Sequence, residues 1–321
     1  MKLHRYLVRP LSPWGTPLRG DTLYGLVLWR IAELDGDAAC RETIAAFRSG
    51  RPPFVLSSAM PQGMLFAPRL PPAPRAVFRR WVEEEAFRDT EGKPLDLYAA
   101  LQAYKRFRKM TRLPVEVWIR HAPALSVREL FAWHCRQRQE KENPKKMRGS
   151  EPHVSIDRGN GRALEGGLFF TRLEYFSQES RLHVYARTDE PDRLLALLRL
   201  VGELGFGRDA STGKGRFSVE PDADFDPAPL DIAGADSLLL SPCAAPDMAD
   251  LEGWYTTEVK RGKAGPGASS PFKNPFLLLH EGSLLRALPQ GPCLLEHIHG
   301  DADIVQVTQP LTLPCRMTGE V

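Results

Sequence analysis

The chain has 321 residues, of which 42% are hydrophobic and 26% are charged, and its formal net charge is +3. This composition is typical of a globular protein, the length allows two domains, and the small net charge alone does not indicate a nucleic-acid binder. The five widely spaced cysteines argue against a disulfide framework, and no apolar run of about 18 residues predicts a membrane-spanning helix. We therefore expect a soluble, cytoplasmic protein.

The first elements follow from hydrophobic periodicity. Residues 2–9 form a predicted strand, and Asp21 is placed to cap a helix whose apolar side chains share one face, namely Leu23, Leu26, Val27, Ile31 and Leu34. The prolines of 51–75 argue against a regular helix and predict an ordered surface insertion. This basic, proline-rich insertion extends over about 51–150, and its segments 94–113 and 126–142 are predicted helices or loops.

Two hairpins are predicted in the middle of the chain. Residues 153–158 and 168–176 are strand-like, and Gly159, Asn160 and Gly161 form the turn between them. Residues 177–180 then lead to a strand over 181–187, which is expected to complete the second hairpin.

A second helix is predicted from Pro191, with a buried stripe formed by Leu194, Leu197, Leu198, Val201 and Leu204. The glycine-rich loop 205–217 follows and leads into a strand over 216–220. This order predicts an α+β fold, with a β-α-β-β-α-β domain over 1–225 and a smaller strand-rich domain over 226–321.

The glycine-rich loop combines four glycines with two arginines and a lysine. Glycine permits positive φ and a close approach to a ligand, so consecutive N–H groups could cradle an anion. Nucleotide-binding loops run from strand to helix, whereas this loop runs from helix to strand and lacks the Walker A spacing. We therefore predict an anion other than a mononucleotide.

Two further basic runs favour a polyanionic partner. Segment 103–120 has six Lys or Arg residues against one acidic residue, and segment 136–162 has eight Lys or Arg residues. Either run alone is typical of a solvated surface. Together with the basic glycine-rich loop, they favour a polyanion.

The hairpin segment 144–167 is a predicted nucleic-acid contact. A basic β-ribbon can contact a phosphate backbone or wedge between bases, although an ordinary surface hairpin is the alternative. Its candidate residues are Lys145, Lys146, Arg148, His153, Ser155, Asp157, Arg158 and Arg162. Lys260 and Arg261 lie in a basic, glycine-rich segment that is either a second backbone clamp or a mobile hairpin tip.

Metal and catalytic sites are weakly indicated. His297, His299, Asp301 and Asp303 alternate like one face of a strand, but Gly300 makes a turn an equal interpretation. A histidine beside arginines, His4 or His153, could serve as the base of a metal-independent ribonuclease. No spacing predicts a catalytic triad, and segment 214–219 lacks the stacking aromatics of the RNP1 pattern. We expect no cofactor, no metal and no catalytic residue.

Four motifs occur in order along the chain. Residues 20–25 (GDTLYG) open the first helix, and 155–158 (SIDR) with 165–169 (EGGLF) lie in the hairpin. The glycine-rich loop is the third motif, and 272–283 contains K-x-P followed by E-G-S. Together they resemble the RAMP superfamily of CRISPR proteins, in particular the fourth subunit of the type III-A Csm complex. The stretch 51–150 has no counterpart in that family, and Gly20 stands where serine is usual.

The resemblance implies two ferredoxin-like domains, a β-hairpin thumb near 150–168 and a non-catalytic subunit that holds the 5′ repeat-derived tag of the guide RNA. It implies docking to the large polymerase/cyclase subunit and to the backbone RAMP subunit, with the target RNA engaged only indirectly. The implied tag-facing residues are Arg19, Asp21, Thr22, Gly205, Gly207, Arg208, Ser211, Thr212, Gly213, Lys214, Gly215 and Arg216. A guide-processing endoribonuclease of the same superfamily and a nucleotide-binding enzyme are the alternatives.

Overall fold

The computed structural model describes residues 1–137, 146–244, 251–265, 267–288 and 293–318. None of the helices in these ranges is long and apolar enough to cross a membrane. The α-helices in them are α1 (Gly20–Asp35), α2 (Asp37–Arg48), α3 (Arg75–Glu83), α4 (Leu97–Phe107), α5 (Val115–His121), α6 (Val127–Cys135) and α7 (Pro191–Leu204).

The strands of the first 225 residues are β1 (Lys2–Pro10), β2 (Phe54–Leu56), β3 (Met60–Pro61), β4 (Met64–Phe66), β5 (Arg112–Pro114), β6 (Lys146–Ile156), β7 (Ala163–Phe176), β8 (Leu182–Thr188) and β9 (Phe217–Pro221). Those of the remainder are β10 (Asp236–Leu239), β11 (Gly253–Trp254), β12 (Thr257–Lys260), β13 (Phe276–Leu279), β14 (Leu284–Leu285), β15 (Leu294–Leu295), β16 (Gln306–Val307) and β17 (Thr312–Cys315).

The main sheet has the strand order β2-β8-β1-β9, and all its pairs are antiparallel. Helix α1 lies between β1 and β2 in the chain, and α7 lies between β8 and β9, so the predicted β-α-β-β-α-β order is present. The two helices pack against the sheet through a core that includes Tyr6, Val8, Leu23, Val27 and Leu198.

Two predictions about these helices need correction. Helix α1 begins at Gly20, its N-cap residue is Arg19, and Asp21 lies inside the first turn without capping it. Leu34 and Leu204, at the last turns of their helices, are 60% and 58% exposed. Both stripes therefore end one turn earlier than predicted, where the helices pass the edge of the sheet.

The hairpin prediction is half right. Strands β6 and β7 pair over residues 146–176 as a separate two-stranded ribbon, which is longer than the predicted hairpin. The second predicted hairpin does not form, because β8 pairs with β1 and β2. The second strand of the main sheet is β2, which lies in the proline-rich stretch.

The insertion is a packed part of the molecule, contrary to the predicted surface location of 51–75. Phe54, Leu56, Met60 and Leu65 are at most 5% exposed. Helices α3 to α6 then enclose an aromatic core that contains Phe78, Trp81, Phe87, Phe107, Trp118 and Phe131. The insertion is therefore a helical subdomain with a largely aromatic interior.

The C-terminal part is strand-rich, as predicted, and its main sheet has the order β11-β14-β10-β17. Among the described residues of 231–318 there is no α-helix. Leu238, Leu284 and Leu313 belong to the same hydrophobic core as the insertion helices. The C-terminal part therefore packs on the insertion, and the predicted boundary at 225/226 stays a prediction.

Candidate nucleic-acid interface

The glycine-rich loop starts where α7 ends. Gly207 and Gly215 both have positive φ, 74° at each. A Cβ at Gly207 would lie 1.7 Å from the Thr16 hydroxyl oxygen, and one at Gly215 would lie 2.1 Å from the Phe206 carbonyl oxygen. Both positions therefore need glycine for conformation and for space, as their place in the sequence predicted.

The amides of residues 212–216 in this loop donate within the protein, so they do not contribute to the predicted N–H cradle. Gly215 N–H donates to the Pro13 carbonyl at 2.9 Å, and Arg216 N–H donates to Ser12 Oγ at 2.8 Å. The N–H groups of Thr212, Gly213 and Lys214 donate to carbonyls within the loop. An anion at residues 212–216 would therefore have to be held by side chains.

The loop and the ribbon meet at one ion pair. Lys214 Nζ lies 2.7 Å and 2.9 Å from the two carboxylate oxygens of Glu151, and the Tyr175 hydroxyl donates to Glu151 at 2.9 Å. The hydrogen bonds from Lys214 and Tyr175 lower the pKa of the Glu151 carboxyl. Lys214 is thus engaged with the protein, whereas Arg208 and Arg216 are exposed.

The β6–β7 ribbon carries the predicted basic side chains toward solvent. The Arg148 side chain is 83% exposed, and Ser155, Arg158 and Arg162 are also exposed. Asp157 has a structural role, because it accepts hydrogen bonds from Gly159 N–H and from the Asn160 side chain, each at 2.8 Å. Asp157 therefore shapes the tip, and its predicted contact with RNA stays a prediction.

For two of the lysines predicted in this segment, the position of the side chain is not described. Lys145 lies outside the described residues, and only the backbone of Lys146 is described, as the first residue of β6.

The ribbon has an exposed apolar surface that was not predicted from the sequence. Six side chains of its distal half are between 48% and 60% exposed, namely Val154, Ile156, Leu164, Leu168, Phe169 and Phe170. The His153 ring stacks on Phe169, with centroids 5.3 Å apart. The apolar run 168–170 is typical of a buried strand. Only the number of hydrophobic residues on both sides of the Gly-Asn-Gly turn could have indicated that some of them are exposed.

Asp21, Thr22 and Lys260 come together, but inside the protein. Asp21 is 1% exposed and pairs with the Lys260 ammonium, which also lies 3.2 Å from Thr22 Oγ1. A carboxylate therefore already occupies the position near the helix N-terminus that was predicted for a tag phosphate. Arg261, the next residue, is exposed.

Arg19 is likewise engaged with acidic residues. It forms a two-point contact with Glu281, with distances of 2.9 Å and 3.0 Å, and also pairs with Glu258. Ser58 Oγ donates to Glu281 at 2.5 Å and accepts a hydrogen bond from Gly20 N–H. Burial raises the pKa of Glu281, but the charge of Arg19 and these hydrogen bonds outweigh it, and the pKa is lowered.

These contacts connect two of the motifs that carry the family resemblance. The first motif opens α1, and the fourth motif supplies Lys273, Glu281 and Ser283. Lys273 Nζ donates to the Val305 carbonyl and to Gln306, whose amide donates to the Asp21 carbonyl. The two motifs therefore form a buried polar network that attaches the N-terminus of α1 to the C-terminal part.

The other candidate sites are occupied by local contacts. His299 Nε2 lies 2.9 Å from the Ser270 carbonyl oxygen, and the Ser269 hydroxyl donates a hydrogen bond to the Asp301 carboxylate. This segment is therefore a hydrogen-bonded turn. No group of three potential metal ligands occurs within the described ranges. His4 lies in β1 opposite Ala186, and its Nε2 is buried without a hydrogen-bond partner.

Comparison with known proteins gives a structural likeness only. No protein-family model matches the chain. No curated protein matches its sequence. Solved structures that share its α+β fold include subunits of type III CRISPR assemblies, the class that the motifs indicated.

Two of these structures show which subunit the chain resembles. A chain of the Csm1-Csm4 cassette in complex with pppApA has a TM-score of 0.60 and 16% identity, and the match covers 99% of our chain and 100% of that chain. The Csm3-Csm4 subcomplex of the type III-A CRISPR-Cas interference complex gives a TM-score of 0.51 at 14% identity, with 97% and 99% covered. The matched chains are Csm4, so the predicted resemblance is confirmed as a likeness of fold.

Proposed function

We propose that this chain is a non-catalytic, RNA-binding scaffold subunit of a type III CRISPR interference complex in the cytoplasm. It holds the 5′ repeat-derived tag of the guide RNA and joins the large polymerase/cyclase subunit to the backbone RAMP subunit. The target RNA is engaged only through the assembled complex. The proposal combines the shared fold with the placement of basic side chains on the ribbon and the loop.

The main sheet supports a ferredoxin-like first domain. The sheet has five strands, of which β3 pairs beside β8, and the other four lie in the spatial order fourth, first, third, second when they are numbered within the β-α-β-β-α-β unit. This antiparallel order, with two crossing helices on one face, is the ferredoxin-like arrangement. Such a sheet gives β6–β7 a rigid base, because the Trp14 N–H at the sheet edge donates to the Glu174 carbonyl at 2.9 Å.

The main support for RNA binding is that the ribbon and the glycine-rich loop lie against each other and both present arginines. Exposed arginines lie along both elements, at Arg148, Arg158, Arg162, Arg172, Arg208 and Arg216. Two nearby acidic groups are already used, since Glu151 pairs with Lys214 and Asp157 shapes the tip. The remaining charge suits a phosphate backbone, and the exposed Phe169 and Phe170 suit base stacking.

The partner proposal follows from the matched structures. In those structures Csm4 is assembled with Csm1 and with Csm3. The exposed pair Val259 and Leu277, on β12 and β13, supports a protein contact on the C-terminal part, because such apolar surface is typical of interfaces.

A scaffold role is favoured over ribonuclease chemistry by the surroundings of the two histidines. His153 stacks on Phe169, and the Nε2 atoms of both His4 and His153 are buried. A general base must reach the proton that it removes within hydrogen-bond distance.

The proposal is tested by co-expression with the large and backbone subunits, followed by sequencing of the co-purified RNA. We expect RNA with one defined 5′ repeat-derived sequence. In parallel, the purified chain is incubated with repeat RNA in EDTA, and no position-specific cleavage is expected. Cleavage that is lost in His153→Ala or His4→Ala, or co-purified RNA with random 5′ ends, would contradict the scaffold role.

A further inference from the structure

A cleft of 690 Å³ lies between α4 and α6, within the insertion. Tyr98, Gln102 and Arg106 line one side at the spacing of a single helix face. His134 and Gln137 line the other side. Ligand pockets typically have volumes of about 300–1,000 Å³, and the proposed tag interface uses none of these residues.

Two flat side chains border the cleft. Tyr98 is 73% exposed, and the His134 ring is supported from the core by Phe107, with centroids 5.5 Å apart. Ala99 and Ala103 lie between the flanking side chains of α4 and leave space along the helix. This arrangement leaves a planar group room to stack against an aromatic ring whose position is already fixed.

The polar groups suit a ligand that offers both donors and acceptors. Gln102 and Gln137 have amide side chains with both functions, although the Gln137 amide also donates to the Trp133 carbonyl at 3.3 Å. The cleft also contains Asp89, whose Oδ1 accepts hydrogen bonds from the N–H groups of Glu91 and Lys93, each at 2.9 Å. The carboxylate is therefore partly satisfied by its own turn.

The rim of the cleft is cationic. Lys105, Arg106 and Lys109, at and after the end of α4, are exposed, and so is Arg136 at the end of α6. Arg106 lines the cleft itself, and the other three cations lie close to its lining residues in the chain. Together they outnumber the one lining carboxylate, Asp89, which favours an anion.

We propose that this cleft binds a nucleobase that carries a phosphate. The base stacks between Tyr98 and His134, Gln102 hydrogen-bonds its edge, and Arg106 contacts the phosphate. An acidic peptide would use the cations, but it would leave the two aromatic surfaces without a stacking partner. The ligand is a nucleotide within a single RNA strand or a free nucleotide, and this site stands independently of the proposed tag interface.

The test uses the full chain with two probes. Equilibrium dialysis measures the retention of radiolabelled AMP and UMP, and photocrosslinking of a short single-stranded RNA that contains 4-thiouridine locates bound RNA by peptide mapping. Tyr98→Ala is expected to weaken binding about tenfold through the loss of one stacking contact, whereas Tyr98→Phe retains it. Arg79→Ala, an exposed arginine on α3, is the matched control for Arg106→Ala.

The two probes separate the sources of the ligand. RNA crosslinks within 95–106 or 133–137 without mononucleotide retention assign the site to a strand, and retention without crosslinks assigns it to a free nucleotide. Thermal unfolding verifies that Tyr98→Ala is folded, as expected for an exposed side chain. Crosslinks confined to 146–176 and 205–217, with no mononucleotide retention, would overturn the proposal, and so would equal binding by the wild type and Tyr98→Ala.

Discussion

The Lys214 ammonium and the Glu151 carboxylate form a two-point contact that joins the glycine-rich loop to the β6–β7 ribbon. The lysine was predicted to contact RNA, and it contacts the protein. The pair lies midway along the ribbon, where Glu151 is opposite Thr171, and it fastens the ribbon to the loop. Under the proposed function, the loop therefore contributes by positioning the ribbon and by presenting Arg208 and Arg216.

We expect Lys214→Ala and Glu151→Ala to weaken tag RNA binding to a similar extent, and the double variant to be no weaker than either. The reason is that both single variants release the same contact, so their effects are not additive. The measurement is RNA affinity by fluorescence anisotropy, with hydrogen exchange in the ribbon. A loss in Lys214→Ala alone, with a smaller salt slope, would show that Lys214 contacts phosphate directly.

The tip arginines offer a second prediction. Arg158→Ala with Arg162→Ala removes two cations from the ribbon tip, and Asp157 still forms the turn. If each contacts one phosphate of a single strand, the slope of log K against log salt falls by about 1.4. A salt titration checks this, with the α3 variant Arg79→Ala as the control. An unchanged slope would remove the tip from the RNA interface.

The buried pair of Arg19 and Glu281 predicts a loss of stability. Glu281→Gln leaves the Arg19 charge with less compensation, and breaking such a pair typically costs about 3–5 kcal/mol. We expect a loss toward the low end, about 3 kcal/mol, because Glu258 remains. Urea unfolding measures it. Arg19→Met with Glu281→Met is the control, and it should be less destabilised than Glu281→Gln alone.

The same carboxyl predicts an acid dependence. Because the pKa of Glu281 is lowered in the folded state, its stabilisation is full above the ordinary carboxyl pKa of about 4.3 and is lost as the pH falls through the lower folded value. The stability difference between the wild type and Glu281→Gln should therefore shrink on acidification below about pH 4. A constant difference down to pH 2 would contradict the assignment.

Lys273 predicts a dependence at high pH. Burial, assisted by the charge of Lys260 and opposed by Asp21, lowers the pKa of Lys273 to about 8. The unfolded chain binds more protons than the folded chain between this value and the ordinary lysine pKa of about 10.4, so this group makes stability rise with pH in that window. The free energy of unfolding of the wild type minus that of Lys273→Met should increase from pH 8 to pH 10. A difference that does not change with pH would contradict this prediction.

Local patterns predicted much of the first domain. The periodicity of Leu23, Val27 and Ile31 indicated α1, and the alternation before and after residues 159–161 indicated the ribbon. Gly207 and Gly215 were predicted to have positive φ, and they do. These features depend on neighbours a few positions away, and such preferences are visible in the sequence.

The pairings between distant segments were not predictable in this way. The strand β2 has only three residues in a proline-rich stretch, so it has no alternation to recognise, and its place beside β8 depends on tertiary contacts. The aromatic residues of the insertion likewise gave no sign that they would form a core with Leu238 and Leu313.

The sequence by itself determined the order of elements, the glycine positions and the basic character of the loop and ribbon, because each depends on local backbone preference or on composition. Only the tertiary structure decided which charges reach solvent. Arg19, Asp21, Lys214 and Lys260 meet acidic or basic partners up to 262 positions away, while Arg158, Arg162 and Arg208 stay exposed. A charge is neutralised by whatever lies within a few ångströms of it in space, and that distance is set by the fold.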